Sequence, residues 1–164
     1  MFYDYINQAV AENIVEIAVS TRPDCICNPY LEILKEISEK NNIEITVELG
    51  LQTANYHSLT KVNRGHTLAE YIEAALAVKQ YGFHLCTHII LNLPWDDALD
   101  AIESAKLVSV MKSDFVKLHG LYIEKGTKMA EQYQKKEFEI CSVEEYKQRV
   151  KLFLEYLSPA VWVQ

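Results

Sequence analysis

The sequence predicts an α/β protein in which parallel strands alternate with helices, and three observations carry that expectation. Four short apolar runs, ending near Ser20, Leu51, Leu91 and Leu121, stop at polar or turn-forming residues. Between them lie stretches of helical periodicity opened by capping patterns such as Thr67-Leu68-Ala69-Glu70. The runs recur about every 30 to 40 residues, against roughly 31 per unit in a (β/α)8 barrel. That spacing favours a barrel over the short-linked strands of a sandwich, but a doubly wound sheet has similar spacing and periodicity does not separate the two.

Taken in order, residues 1–12 read as the end of a helix, with Phe2, Ile6, Ala9 and Val10 on one side. The run Ile14–Val19 is the first strand and Ser20-Thr21-Arg22-Pro23-Asp24 its loop. Asn28 is the expected N-cap of the next helix, with Pro29 in its first turn and Leu31, Leu34 and Ile37 on its apolar face. The second strand covers Ile43–Leu51. A short helix is expected over 55–62, and a longer one from Thr67 to about Gln80, closed by Gly82. The third strand, His84–Leu91, leads through Asn92-Leu93-Pro94-Trp95-Asp96-Asp97 into a helix over Ala98–Met111. The fourth strand spans Phe115–Ile123 and ends at the turn Glu124-Lys125-Gly126-Thr127. Ser142-Val143-Glu144-Glu145 is a second capping box, and Val143, Tyr146, Val150, Phe153 and Leu157 form one stripe of the helix it opens. Val161-Trp162-Val163 begins a further strand. All four main strands read as apolar on both faces.

At 164 residues, about half of them apolar, the chain is the size of one domain, 1–164, and long enough to bury a core. A net charge of -7 and no basic stripe argue against nucleic-acid binding by this chain alone. No apolar run is long enough for a membrane span and the N-terminus lacks a signal-peptide pattern, so a cytoplasmic protein is expected. Cys25, Cys27, Cys86 and Cys141 fit neither a zinc ribbon nor a thioredoxin pair and are expected to be free thiols. Dinucleotide, phosphate-loop, nucleophile-elbow and H-E-x-x-H motifs are all missing from the sequence.

The working half of the chain is expected between Val47 and His66. There a strand passes into polar residues at its carboxyl end, the place where parallel sheets bind ligands. Glu48 can accept from an amine, Gln52 can bond hydroxyls both ways, and Arg64 can clamp a carboxylate. That set suits an amino acid joined to a sugar. Glu48 lies in an apolar run, so either it has a partner or its strand is an edge.

His84, Cys86 and His88 alternate onto one face of the third strand, but His84 and His88 are roughly 13 Å apart in an extended strand. Only Cys86 and His88, with His119 from the next strand, are placed to chelate, and no metal is expected. His88 is read as a hydrogen-bonding group at the mouth and His84 as structural. Arg22 with Asp24 reads as a turn-fixing pair or a ligand contact, and Asp96-Asp97 first as a helix N-terminus and second as an acid/base pair. Lys117 faces either the site or an outer helix.

Five motifs, T-R-P-D-C at 21–25, V-E-L-G-L-Q-T at 47–53, V-N-R-G-H at 62–66, H-I-I-L-N-L-P at 88–94 and V-K-L-H at 116–119, together resemble the radical S-adenosylmethionine superfamily. The likeness is to bacterial Fe-S oxidoreductases related to the Elongator catalytic subunit, with oxygen-independent coproporphyrinogen oxidase more distant. It covers nearly the whole chain in order. The resemblance implies part of a TIM-like barrel that binds S-adenosylmethionine. Arg64 matches the residue holding the cofactor carboxylate, Gln52 the ribose contact, and Glu48 a position near the methionyl group. His88 falls where a relative has a cofactor-contacting Asp, Ser20 where relatives carry a ribose-binding Glu, and Leu118 and His119 on the strand that meets the adenine.

The departures shape the functional expectation. The family's Cys-x3-Cys-x2-Cys, which holds a 4Fe-4S cluster, is missing, as are the first two βα units that carry it. Relatives read G-L-P-G-E where this chain has Asn92-Leu93-Pro94-Trp95-Asp96. The expectation is therefore a partial core of a radical S-adenosylmethionine oxidoreductase, contributing the cofactor half-site, with the cluster supplied only in a full-length parent and the chain alone inert. The alternatives are a degenerate relative serving as a binding or interaction module, and an unrelated TIM-barrel enzyme using Glu48 and His88 as acid and base. An open strand edge leads one to expect self-association, alongside a small-molecule cofactor as partner.

Overall fold

Five strands line up in the order in which the chain makes them, β1 (Glu16–Thr21), β2 (Glu44–Gln52), β3 (His84–Ile90), β4 (Phe115–His119) and β5 (Trp162–Val163), every neighbouring pair parallel. This is a computed structural model, and it describes residues 1–11 and 13–164. The helices are α1 (Phe2–Ala9), α2 (Asn28–Asn41), α3 (Tyr56–Lys61), α4 (Leu68–Gln80), α5 (Ala98–Val110), α6 (Lys128–Gln134) and α7 (Val143–Tyr156). The last position of the helix expected over 1–12 lies outside the described residues.

Strand order decides what periodicity left open. A doubly wound sheet reverses direction at a switch point and so carries helices on both faces. Here the order never reverses, and right-handed crossovers then send every connecting helix to the same side. The result is an arc of a (β/α) barrel, as expected.

The core lies between that outer face and the helices. Val47, Leu49 and Leu51 of β2, Leu85 and Ile89 of β3 and Val116 of β4 meet Leu31, Leu34 and Ile37 of α2, Tyr71, Ala74, Ala75 and Val78 of α4, Ala101, Ala105 and Val108 of α5 and Phe153 of α7. Alanines at the centres of α4 and α5 let these helices sit close to the sheet. Behind β3, Tyr71 Oη, Thr87 Oγ1 and Ser113 Oγ are linked at 2.7 and 2.8 Å, so the buried hydroxyls satisfy one another. Burial pushes the Tyr71 phenol up to about 12.

The expectation of strands apolar on both faces is corrected. The alternating positions Glu16, Ser20, Thr46, Glu48, Cys86, His88, Lys117 and His119 all belong to the opposite, concave face, and from Val47 onward β2 alternates strictly between buried and half-buried residues. A barrel interior built to meet a ligand keeps its polar residues there.

Several boundaries also differ. The N-cap of α2 is Cys27, with Asn28 the first helical residue and Pro29 in the first turn. The fourth strand ends at His119, because the Leu121 N–H is taken by Asn92 Oδ1 at 2.6 Å and leaves the ladder. Helix α6 was not expected; Thr127 caps it by accepting from the Ala130 N–H at 3.2 Å. The capping boxes of α4 and α7 form as expected, and Asp97 with Asp100 makes a third at α5.

Candidate functional site

The carboxyl ends of β1 to β4 bring two groups of side chains onto or beside the concave face. The first centres on Gly50. Strand β2 bulges between Gly50 and Gln52, and Gln52 takes a φ of 75°, which turns its side chain back over Gly50. A Cβ on Gly50 would stand 2.6 Å from Gln52 Nε2 and 2.9 Å from Arg64 Nη2, so only glycine lets the amide and guanidinium converge there.

Arg64 is fixed from below. Its Nη2 donates to the Gly50 carbonyl at 3.0 Å and its Nε to His66 Nε2 at 3.2 Å. His66 stands between two carbonyls, Nε2 2.9 Å from Gly50 O and Nδ1 3.2 Å from Thr67 O, so it ties the Gly50 bulge to the start of α4. Among the described residues Nη1 of Arg64 has no hydrogen-bond partner. Burial, with the nearby Arg22 charge, lowers the Arg64 pKa from its usual value, and Asp24 opposes this. Arg22 is itself paired with Asp24, whose carboxylate takes both its Nε–H and Nη2–H. The turn-fixing reading of that pair is the one the structure displays.

The second group lies deeper on the concave face. The question posed by Glu48 in an apolar run is answered by partners, since β2 is flanked on both sides. Lys117 Nζ donates to Glu48 Oε1 at 2.6 Å, His88 Nε2 lies 3.1 Å from Oε2, and His119 Nε2 lies 3.1 Å from His88 Nδ1. The register explains the meeting: Glu48 is beside Cys86, and His88 beside Lys117. Burial opposes the Glu48 charge, but Lys117 and His88 more than offset it and hold the carboxyl below its ordinary range. Lys117 is raised in turn by its bond to Glu48. Burial lowers the His88 pKa, only partly opposed by Glu48.

The donor atoms of Glu48, Cys86 and His88 lie within 4.8 Å of one another, a different trio from the Cys86, His88 and His119 weighed on sequence. Both Glu48 oxygens already serve Lys117 and His88, and burial, then the Glu48 charge, pushes the Cys86 thiol up to about 11. Glu48 and His88 already belong to a hydrogen-bonded network, and a metal ion there would have to displace those bonds and deprotonate the Cys86 thiol.

The remaining sequence candidates separate. Ser20 is exposed on the concave face beside Glu48 in register. The Leu118 side chain packs against the core on the helical side, so only its backbone can meet a ligand at the mouth. His84 lies 3.5 Å from Glu44 and 3.7 Å from Asp114 at the opposite end of the strand, a structural position. Asp96 is buried, with Oδ1 unpaired among the described residues, and burial pushes its carboxyl up; Asp97 caps α5. Two groups escaped the sequence reading, His66 and the Gly50 bulge. The only signal for either was the glycine itself, inside an apolar strand.

A parallel (β/α) arc with polar residues gathered at the carboxyl ends of its strands describes part of a (β/α) barrel. The chain belongs to the Radical SAM superfamily, whose family model matches residues 1–108, and the Radical_SAM C-terminal domain matches residues 113–164. It is 35% identical over 153 residues to the uncharacterised protein MJ0486 of Methanocaldococcus jannaschii, covering 93% of this chain and 47% of that protein. Among solved structures, Elp3 of Methanocaldococcus infernus with an N-terminal deletion aligns with a TM-score of 0.81 at 21% identity, over 92% of this chain and 35% of that one. Coproporphyrinogen III oxidase (HemN) of Escherichia coli, a Radical SAM enzyme, aligns with a TM-score of 0.67 at 17% identity, over 86% and 31%. At those identities the structures establish the fold alone. The chain spans about half the length of the curated relatives it matches.

Proposed function

We propose that this chain forms the S-adenosylmethionine half-site of a radical S-adenosylmethionine oxidoreductase core and by itself is inert in cleaving that cofactor. The observation that supports this most is the Gly50 cradle, over which Gln52 and an anchored Arg64 converge with one guanidinium nitrogen free among the described residues. In this reading Arg64 clamps the methionyl carboxylate, Gln52 and Ser20 take the ribose hydroxyls, and the backbone at Leu118 and His119 borders the adenine. Glu48 and His88 face the methionyl end through a network whose polar atoms are already committed. Bound there, the cofactor would supply radical chemistry only in a parent that provides the cluster.

The cluster itself does not fit this chain. Cys25 and Cys27 are exposed and separated by one residue, Cys86 is buried as a thiol, and no Cys-x3-Cys-x2-Cys occurs in the sequence. No step through a cluster is therefore assigned to these residues. Two measurements test the reading. Arg64→Ala is expected to weaken S-adenosylmethionine binding by calorimetry about tenfold or more, as loss of a charge-assisted contact does, and unchanged affinity contradicts it. Iron-sulfur reconstitution of the chain is expected to give no 5′-deoxyadenosine, and its formation overturns the claim of inertness.

A further inference from the structure

The network on the concave face has a direction, fixed by groups that leave no choice. Lys117 can only donate and the Glu48 carboxylate can only accept, so Glu48 Oε2 must receive the His88 Nε2–H. A neutral His88 then has a bare Nδ1, which must receive the His119 Nε2–H at 3.1 Å. A neutral His119 is left with a bare Nδ1, which makes no hydrogen bond among the described residues, and His119 is exposed at the end of β4. Four side chains from three strands thus form one ordered series that opens at a single basic nitrogen. The two imidazole rings, 5.0 Å apart between centroids, lie on the side of the sheet away from the helices.

We propose that His119 is a general base, taking a proton on Nδ1 from an O–H, N–H or activated C–H acid of the molecule bound against the concave face. The bond from that hydrogen to the substrate atom breaks, its electron pair stays on the substrate, and His119 becomes an imidazolium. The positive charge is met by Glu48 through His88, the arrangement by which a carboxylate supports an imidazole base. His88, Glu48 and Lys117 are positioning residues. The charged and titratable groups around the pair are Glu48 from β2, Cys86 from β3 and Lys117 from β4, with Cys86 a neutral thiol at ordinary pH. The inference goes beyond the half-site reading and rests on the hydrogen-bond order alone.

The test is made on the whole chain, first by long-range 1H–15N NMR of the imidazoles. His88 and His119 are both expected as Nε2–H tautomers at a pH where they are neutral. In Glu48→Gln, Lys117 keeps the amide oxygen, the amide N–H₂ faces His88, and His88 is expected to switch to the Nδ1–H form. The second arm follows p-nitrophenyl acetate hydrolysis as a probe of imidazole basicity. His119→Ala is expected to lower the protein-dependent rate about tenfold, with added imidazole restoring it, whereas His57→Ala on α3 leaves it unchanged. An Nδ1–H tautomer at His119, or His119→Ala matching wild type, overturns the proposal. Imidazole cleaves this ester unaided, so rescue is counted only as the rate above that of the same imidazole without protein, where it separates a reacting from a structural histidine; neither arm uses S-adenosylmethionine, so failure of the half-site reading is read separately.

Discussion

Gly50 carries the most specific consequence at the level of single residues. A Cβ in Gly50→Ala would stand 2.6 Å from Gln52 Nε2 and 2.9 Å from Arg64 Nη2 and push these two flexible side-chain ends off the cradle. Stability by chemical denaturation should change little, with S-adenosylmethionine binding weakened as in Arg64→Ala. Lys117→Met strips a donor from Glu48, whose side chain is 13% exposed, and is expected to cost about 1.5–3 kcal/mol at neutral pH. The pH dependence has a definite sign. The Glu48 carboxyl is held below its usual range, so its contribution is complete above the unfolded pKa of roughly 4.3 and is lost as pH falls through the lower folded value. Urea midpoints for wild type and Lys117→Met should therefore converge below about pH 4 and diverge above it. A constant gap across that range contradicts the pairing. From sequence, Glu48, Gln52 and Arg64 were legible because polar residues in or just after an apolar strand demand partners. His66 was not, since its role depends on the Gly50 carbonyl, which only the bulge exposes.

Among the elements, the β3–β4 junction depends on Asp114. Its Oδ2 accepts from Lys79 Nζ and the Leu85 N–H, both at 2.7 Å, so one carboxylate joins α4 to the starts of both strands. Asp114→Ala leaves the Leu85 N–H without its acceptor and is expected to destabilise by about 1–3 kcal/mol, checked by urea denaturation. Thr67→Ala removes the cap of α4, where Thr67 accepts from Glu70 N–H and Glu70 answers to Thr67 N–H; a loss of about 1 kcal/mol is expected. Elements with such chemical punctuation were the ones visible in sequence. Helix α6, seven residues with a single buried side chain at Ala130, has too little apolar periodicity to announce itself. The fourth strand was overextended because Leu121 and Ile123 continue its apolar pattern, while Asn92, distant in sequence, ends its pairing.

For the whole molecule, local pattern could not choose between barrel and doubly wound sheet, since the difference lies in strand order, a property of no single segment. Nor could it see that one sheet face is polar, because Cys86, Phe115 and Ile90 interleave with the polar positions along the strands. The outer edge of β1 pairs with no strand among the described residues, and Ala18 lies exposed on it. We infer that this edge mediates self-association. Sedimentation velocity should show concentration-dependent assembly that Ala18→Lys disperses, and a concentration-independent monomer contradicts it. The central claim is the cofactor half-site, and the most direct test is a titration of 15N-labelled chain with S-adenosylmethionine followed by 1H–15N correlation spectra. The account predicts saturable shifts at Gly50, Gln52, Arg64 and the Leu118–Gly120 amides, lost in Arg64→Ala. Shifts gathered elsewhere, or none at millimolar cofactor, would contradict it.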